Sequence, residues 1–574
     1  MSDDAMNASR RRFLQGLAAG TVIASTQVAL VGCDEIDDET ESTTEAAFSH
    51  NVASGDPQAE SVVLWTRAVP TSGTTARIRY EVATAADFDE ILASGMLETS
   101  AERDYTAKVD VIGLAPGQRY FYRFRAGETV SPVGQTKTLP TAEVDQVKVA
   151  LFSCSNYPAG YFHAYREAAK QDDLDVCLHV GDYIYEYDRD GYASEDAAAL
   201  GRLSEPNREL LSLADYRIRL AQYRSDTDLQ ELHRLVPFIT VWDDHEVAND
   251  AYRAGAENHQ PDEGSFFDRR DAALQAYFEW LPVREPTTPT TGARINRYQT
   301  FDFGNLLSLH VLETRLSGRD RQLDYANYID PVTGAFNEAS FTADISDANR
   351  QLLGAEQSAW LVNQLSASQA TWQALGQQVL MGRMNLPAPL VTFQVSFSEY
   401  QAILVKAQTD PGGLTPQEQA ILAQPSIPYN LDAWDGYAAA RETIFETVRA
   451  QDKNLIALAG DTHNSWANNL RALDGTALGV EIAGTSVSSP GLEDFFTDED
   501  PDELAAGVTQ LIPDLYYSDL QHRGFVVVTF RADEVVADWY HLDTVKSRDY
   551  QILPERRRTL RVRPGAGNRQ IEEV

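Results

Sequence analysis

The chain of 574 residues is long for one typical domain, which predicts a large domain with a smaller companion. Its 43% hydrophobic and 23% charged residues are the make-up of a soluble globular protein with a substantial core. The 86 acidic residues outweigh 48 basic ones and give a net charge of −38, a field that repels nucleic-acid backbones and argues against a nucleic-acid partner.

In chain order, Ser9-Arg10-Arg11-Arg12-Phe13-Leu14 precedes a modestly apolar run from Leu17 to Gly32. This resembles a twin-arginine export signal, and Leu30-Val31-Gly32-Cys33 resembles a lipoprotein cleavage box with Cys33 as the lipidated residue. Residues 1–33 are expected to be such a signal, read by the twin-arginine export machinery. The expected location is the periplasmic or extracellular face, with membrane anchoring through lipidated Cys33. Residues 34–47 are expected to be an acidic linker. No later stretch reaches the ~20 apolar residues that span a bilayer. Cys154 and Cys177 remain beside the anchor, too few for a disulfide framework.

From residue 48 to 142 the signals are β throughout. Ser61 to Thr66 reads as a strand, and Ala76 to Val82 alternates. Pro116-Gly117 is a turn leading into a strand on which Tyr120, Tyr122 and Phe124 share a face. This predicts a small all-β, fibronectin-type sandwich with a tyrosine corner and a structural role.

Residues 141–146 read as a linker, and residues 147–545 as the large domain. Buried strands are predicted at 147–152, 175–180, 238–242, 306–312, 372–381, 454–459 and 525–530. Helices are predicted at 162–171, over most of 202–235 and at 268–281. The alternation indicates an α/β domain with sheets buried on both faces. Residues 385–445 read as an insertion and residues 546–574 as a C-terminal tail.

Four of these strands end in side chains able to bind metal: Ser153-Cys154-Ser155-Asn156, Gly181-Asp182-Tyr183-Ile184-Tyr185, Asp243-Asp244-His245-Glu246-Val247-Ala248-Asn249 and Gly460-Asp461-Thr462-His463-Asn464. Ligands of open α/β sheets collect at the carboxyl ends of strands. Turn chemistry explains recurrent Asp, Asn and Gly, but not His and Cys.

"VALFSCSN", "HVGDYIYEY", "VWDDHEVAND" and "LAGDTHNSW", in this order behind a β-sandwich, resemble the PhoD-like alkaline phosphatases of the calcineurin-type metallophosphoesterase superfamily. "GAEQSAWL", "ATWQALGQQVLM", "NLDAWDGY" and "AGTSVSS" extend the resemblance over nearly the whole chain from Phe48 to Val545. It implies an α/β fold with a metallophosphoesterase β-sandwich core flanked by helices. It also implies a site holding Fe³⁺ and Ca²⁺. Cys154, Asp182, Tyr185 and His463 are the implied iron ligands. Asp182 would bridge to calcium, joined by Asp244, Asn249 and Asp461. The donor types agree, since thiolate, phenolate and imidazole suit a transition metal while carboxylate and amide oxygens suit calcium.

Asp243 and Asp244 compete for one position. The superfamily's ligand directly precedes its histidine, which favours Asp244 and leaves His245 to contact phosphate or leaving group. Cys177, Tyr183 and Tyr187 read as packing residues, and His233 and His259 as surface residues. Arg315 follows Glu313-Thr314, where the family usually has Asp before Thr-Arg, and reads as a phosphate or supporting contact.

The expected activity is hydrolysis of small organophosphate monoesters or diesters by metal-activated water. Ser155 and Ser465 are the weaker candidates for a covalent nucleophile, since neither has a neighbouring base in sequence. The rival readings are a phospholipase D-like phosphodiesterase at the membrane and a non-catalytic binding protein.

Overall fold

The computed structural model describes residues 42–285, 295–330 and 336–574. The export and lipidation readings on residues 1–33, and residues 34–41 of the linker, lie outside these. Thr43 to Val574 form one compact unit.

Two stacked sheets make the frame. In the larger, Gln146–Phe152, Val176–His179 and Phe238–Thr240 run parallel at the centre. Gln146–Phe152 pairs on its other side, antiparallel, with Arg523–Arg531, Gln146 facing Arg531 and Leu151 facing Val526. The smaller sheet carries Leu307–Val311, Trp372–Gly376, Leu455–Ala459 and Ala477–Ala483 in parallel. Alternation along each strand sends residues to two faces. Leu151, Leu178 and Ile239 pack against Leu309, Ala374 and Leu458 between the sheets. Phe152, Cys177 and Phe238 face outward onto the helices His163–Ala168, Leu213–Arg224, Thr227–Leu235 and Phe266–Trp280. Gly354–Ala367 and Ala438–Ala450 cover the far side of the second sheet. The result is a β-sandwich core flanked by helices, with an all-β region before it.

The predicted strands are present, though the one expected over 372–381 ends at Gly376. The single helical stretch expected over 202–235 is two helices. Asp226 divides them, its carboxylate accepting from the N–H groups of Asp228 and Leu229 to start the second.

Two boundaries differ from the expectation. Val52–Gly55, Ser61–Arg67 and Thr106–Ile112 pack with the other N-terminal strands around one apolar cluster, as the expected sandwich requires, and also reach beyond it. They continue the large sheet, with Gly55 pairing Phe238 in parallel and Asp56 N–H donating to Phe238 O at 2.9 Å. The seam is tight: a Cβ on Gly55 would lie 2.5 Å from Pro282 O and 2.6 Å from Phe238 O, so only glycine fits. The remaining strands of this region form their own sheet over the same apolar cluster. There Tyr120 Oη accepts from Ala115 N–H at 2.7 Å, the contact a tyrosine corner makes. At the other end, residues 546–574 are not a free tail. Arg558–Val562 and Glu572–Glu573 add two strands beyond Val535–Leu542, because Leu560, Val562 and Ile571 have an inter-sheet core to enter.

Candidate metal centre

The three central strands of the large sheet point their carboxyl ends the same way, and Leu455–Ala459 brings Gly460-Asp461 to meet them. The chain reverses sharply at each end. Cys154, Asp182, Asp461 and His463 all have left-handed backbone, with φ of 60°, 54°, 66° and 61°. Cys154 N–H donates to Gly181 O at 3.1 Å and Ser155 N–H to Asp182 O at 2.9 Å, locking two strand ends together. Gly181, at φ 112°, permits this: a Cβ there would meet Asp243 N at 2.4 Å.

The turns gather three overlapping groups whose ligand atoms lie within 4.8 Å of one another: Cys154, Asp182 and His463; Asp182, Asp244 and His245; Asp243, Asp244 and Asp461. Asp182 belongs to two of them. Tyr185 Oη donates to Asp182 Oδ2 at 2.9 Å, lies 3.2 Å from His463 Nε2, and accepts from Ser489 Oγ at 2.7 Å. His463 Nδ1–H donates to Pro490 O at 2.7 Å, which leaves Nε2 as the free lone pair facing Tyr185.

The donor set fits metal. Asp182 Oδ1 and Asp243 Oδ2 are buried with no hydrogen-bond partner, where such atoms are ordinarily satisfied. Burial, with the charge of Asp182 next, pushes the Cys154 thiol and the Tyr185 phenol well above their ordinary values. Burial and neighbouring carboxylates also raise Asp243 and Asp461 despite the opposing pull of Arg315. A cation among these groups reverses each of those effects, since it favours the ionised form of every one.

Arg315 is fully buried behind the carboxylates. It donates to Asp432 Oδ1 at 2.8 Å and Asp461 Oδ1 at 2.9 Å, bonds Asp243 through Nε, and lies 3.7 Å from Asp244. It therefore holds the acidic residues in place and has no surface to offer phosphate. Glu313, where the family usually has Asp, accepts from Trp242 Nε1 and from the N–H groups of Arg315, Leu316 and Ser317, fixing the loop that carries Arg315.

An open cleft of about 480 Å³ is lined by Asp182, Asp244, His245, Asn249, Asp461 and His463. Asp243 and Arg315 are behind its wall. His245 Nδ1 is 2.7 Å from Glu186 Oε2, whose other oxygen accepts from Asn249 N–H at 2.7 Å and Asn258 Nδ2 at 2.8 Å. Burial opposes a charge on His245, but Glu186, Asp244 and Asp182 outweigh it and raise the imidazole well above its usual range. Burial likewise opposes ionisation of Asp244, yet Arg315 and His245 hold its carboxyl at about 2. Asn249 turns its amide toward Glu257, 3.3 Å away.

Several residues escaped the sequence reading. Tyr187, read as packing, lines the cleft with its ring 5.3 Å from His245. Tyr192 stacks on His463 and donates to Pro490 O at 3.0 Å. Asp432, inside the quoted "NLDAWDGY", joins Arg315 to Arg319. Glu186 and Ser489 had no signal beyond lying in or beside motif segments. His233, read as a surface residue, is buried: it stacks on Phe238 and its Nε2 lies 2.9 Å from Tyr183 Oη. Cys177 is a buried, unpaired thiol in the core, and Cys154 is unpaired as well. Ser155 and Ser465 are fully buried and have no access to the cleft.

A family profile described as PhoD-like phosphatase matches residues 149–539, and its N-terminal-domain profile matches residues 34–140. Alkaline phosphatase D of Bacillus subtilis (strain 168) is 36% identical over 499 residues, 84% of this chain and 76% of that protein. A solved structure titled "Structure of PhoD" superposes with a TM-score of 0.75 at 31% identity, covering 92% of each chain.

Proposed function

The chain belongs to the PhoD-like phosphatase family, and we propose that it works outside the cytoplasm as a metal-dependent alkaline phosphatase on phosphomonoesters, phosphodiesters or both. The observation that carries the metal reading is Asp182: it is shared by two ligand groups and keeps a buried oxygen without a partner.

Cys154, Asp182, Tyr185 and His463 would hold Fe³⁺, and Asp182, Asp244, Asn249 and Asp461 would hold Ca²⁺. Asp244 is preferred to Asp243 because it faces the cleft, while Asp243 is engaged by Arg315. Bound metal supplies Lewis acidity, which activates water and neutralises phosphoryl oxygens. The chain's own residues do the rest. His245, held as a cation by Glu186, contacts a phosphoryl oxygen or gives its proton to the departing alkoxide. Arg315 balances the charge of the acidic ligands and keeps them oriented. The burial of Ser155 and Ser465 favours direct attack by water over a seryl intermediate.

Metal analysis of purified protein, beside turnover of p-nitrophenyl phosphate and bis-p-nitrophenyl phosphate, tests this. Asp182→Ala and His463→Ala should each lose at least about 10³-fold in kcat and most of the bound metal. Near-normal turnover in both would refute the site. Export is tested by replacing Arg10 and Arg11 with Lys, which should leave precursor in the cytoplasm; Cys33→Ala should release soluble protein if the residue is lipidated.

A further inference from the structure

Beside the metal cleft lies a second cavity, of about 260 Å³, and the two share Tyr429, Asn430, Leu492 and Phe495 as a common wall. Apart from Asn430, its lining is hydrocarbon and aromatic. Leu390 and Phe397 come from the inserted stretch, and Leu504, Val508 and Ile512 come from the helix Pro501–Leu511 and its end. The floor belongs to a buried apolar cluster. The rim does not, since Phe393 is 75% exposed and Phe495 is 70% exposed. Exposed aromatics grouped at the mouth of an apolar cavity form a patch of the kind found at ligand-binding grooves.

Phe393 carries a second anomaly. Its φ is 53°, a left-handed conformation that bulky residues avoid, and its N–H donates to Leu390 O at 3.2 Å to hold the turn. Its ring stacks on Phe496, which keeps it at the rim. Backbone strain beneath an exposed ring at the mouth of a cavity is the kind found at ligand clamps.

We propose that this cavity receives the hydrocarbon part of the substrate, so that the preferred substrates are water-soluble phosphoesters carrying one short alkyl chain. The inference rests on the phosphatase reading and adds which esters the site selects. Because the cavity and the cleft share four lining residues, a phosphoryl group at the candidate ligands and a chain in the cavity can be bound side by side. The volume falls below that of pockets for drug-sized ligands, which suits one short chain and not the paired chains of a membrane lipid.

The test compares kcat/KM for methyl, butyl, hexyl and octyl phosphate with the purified full chain. Values should rise by about three-fold per added methylene until the cavity is full. Phe393→Ser, at an exposed position that leaves the floor packed, should flatten the series by raising KM for octyl phosphate at least about five-fold. Leu390→Gln should do the same, with thermal unfolding confirming that each variant is folded. Octylphosphonate should inhibit more strongly than methylphosphonate, an ordering that needs no turnover. A flat series with methyl phosphate still hydrolysed would overturn the cavity's role and leave the phosphatase reading standing. Preference for phosphatidic acid in vesicles over octyl phosphate would overturn the single-chain substrate. Failure to hydrolyse any ester would overturn both readings.

Discussion

Four ligand candidates sit on backbone that side chains usually avoid, and Tyr185 is not among them. It reaches the cluster by its side chain alone, through Asp182 and His463. Removing its oxygen should therefore leave the turns intact. If Fe³⁺ is bound, phenolate gives a charge-transfer band that neither Zn²⁺ nor Ca²⁺ can supply. Tyr185→Phe should bleach or strongly shift that band and slow hydrolysis, whereas Tyr183→Phe, whose hydroxyl points to His233, should change neither. An unshifted band in Tyr185→Phe would exclude the phenolate. At this scale the sequence was most informative where a ligand ends a strand, because the strand's apolar run marks where to look. It was silent on Glu186, Tyr192, Asp432 and Ser489, which act by orienting other side chains and share no spacing that reveals it.

Among elements, the periods of strands and helices were legible wherever a segment has one wet face or none. The joint between the all-β region and the core was not, since its strand ladder is a single parallel pairing, Gly55 with Phe238, and a glycine leaves no hydrophobic pattern. His50 lies near this joint, its Nε2 donating to Ala221 O at 3.1 Å from the helix Leu213–Arg224 and its ring edge-on to Trp280. Burial, followed by the charges of Arg67 and Arg224, lowers its pKa from 6.5 to about 4. The folded chain thus refuses a proton that the unfolded chain accepts below pH 6.5. Stability from this source is complete above that pH and falls as the pH drops toward 4. Between pH 6.5 and 5 the wild type should lose about 1.5 kcal/mol more than His50→Gln, measured by urea unfolding. Equal losses would show that His50 is not held neutral.

For the molecule as a whole, the α/β class followed from the alternation of predicted elements, and the sandwich of sheets from the family resemblance. The closing strands did not, because Arg558–Val562 alternates charged and apolar residues and resembles a solvated segment when read alone. A chain ending at Val545 should lose about 5 kcal/mol through exposure of Leu560, Val562 and Ile571 partners. It should also aggregate, since Val535–Leu542 becomes an open edge. A monomeric truncated chain with an unchanged Tm would contradict this.

The antiparallel pairing of Gln146–Phe152 with Arg523–Arg531 also sets a timetable. As the polypeptide leaves the ribosome, the central strand of the large sheet emerges early and waits for a neighbour some 380 residues away, from Gln146 to its partner Arg531. Through most of synthesis one of its edges stays unsatisfied, and the candidate metal ligand Cys154 lies two residues past its end. Contacts of such long sequence separation form slowly, and nascent chains with open strand edges are prone to associate. That edge therefore stays open to association with other chains until the last tenth of the polypeptide arrives.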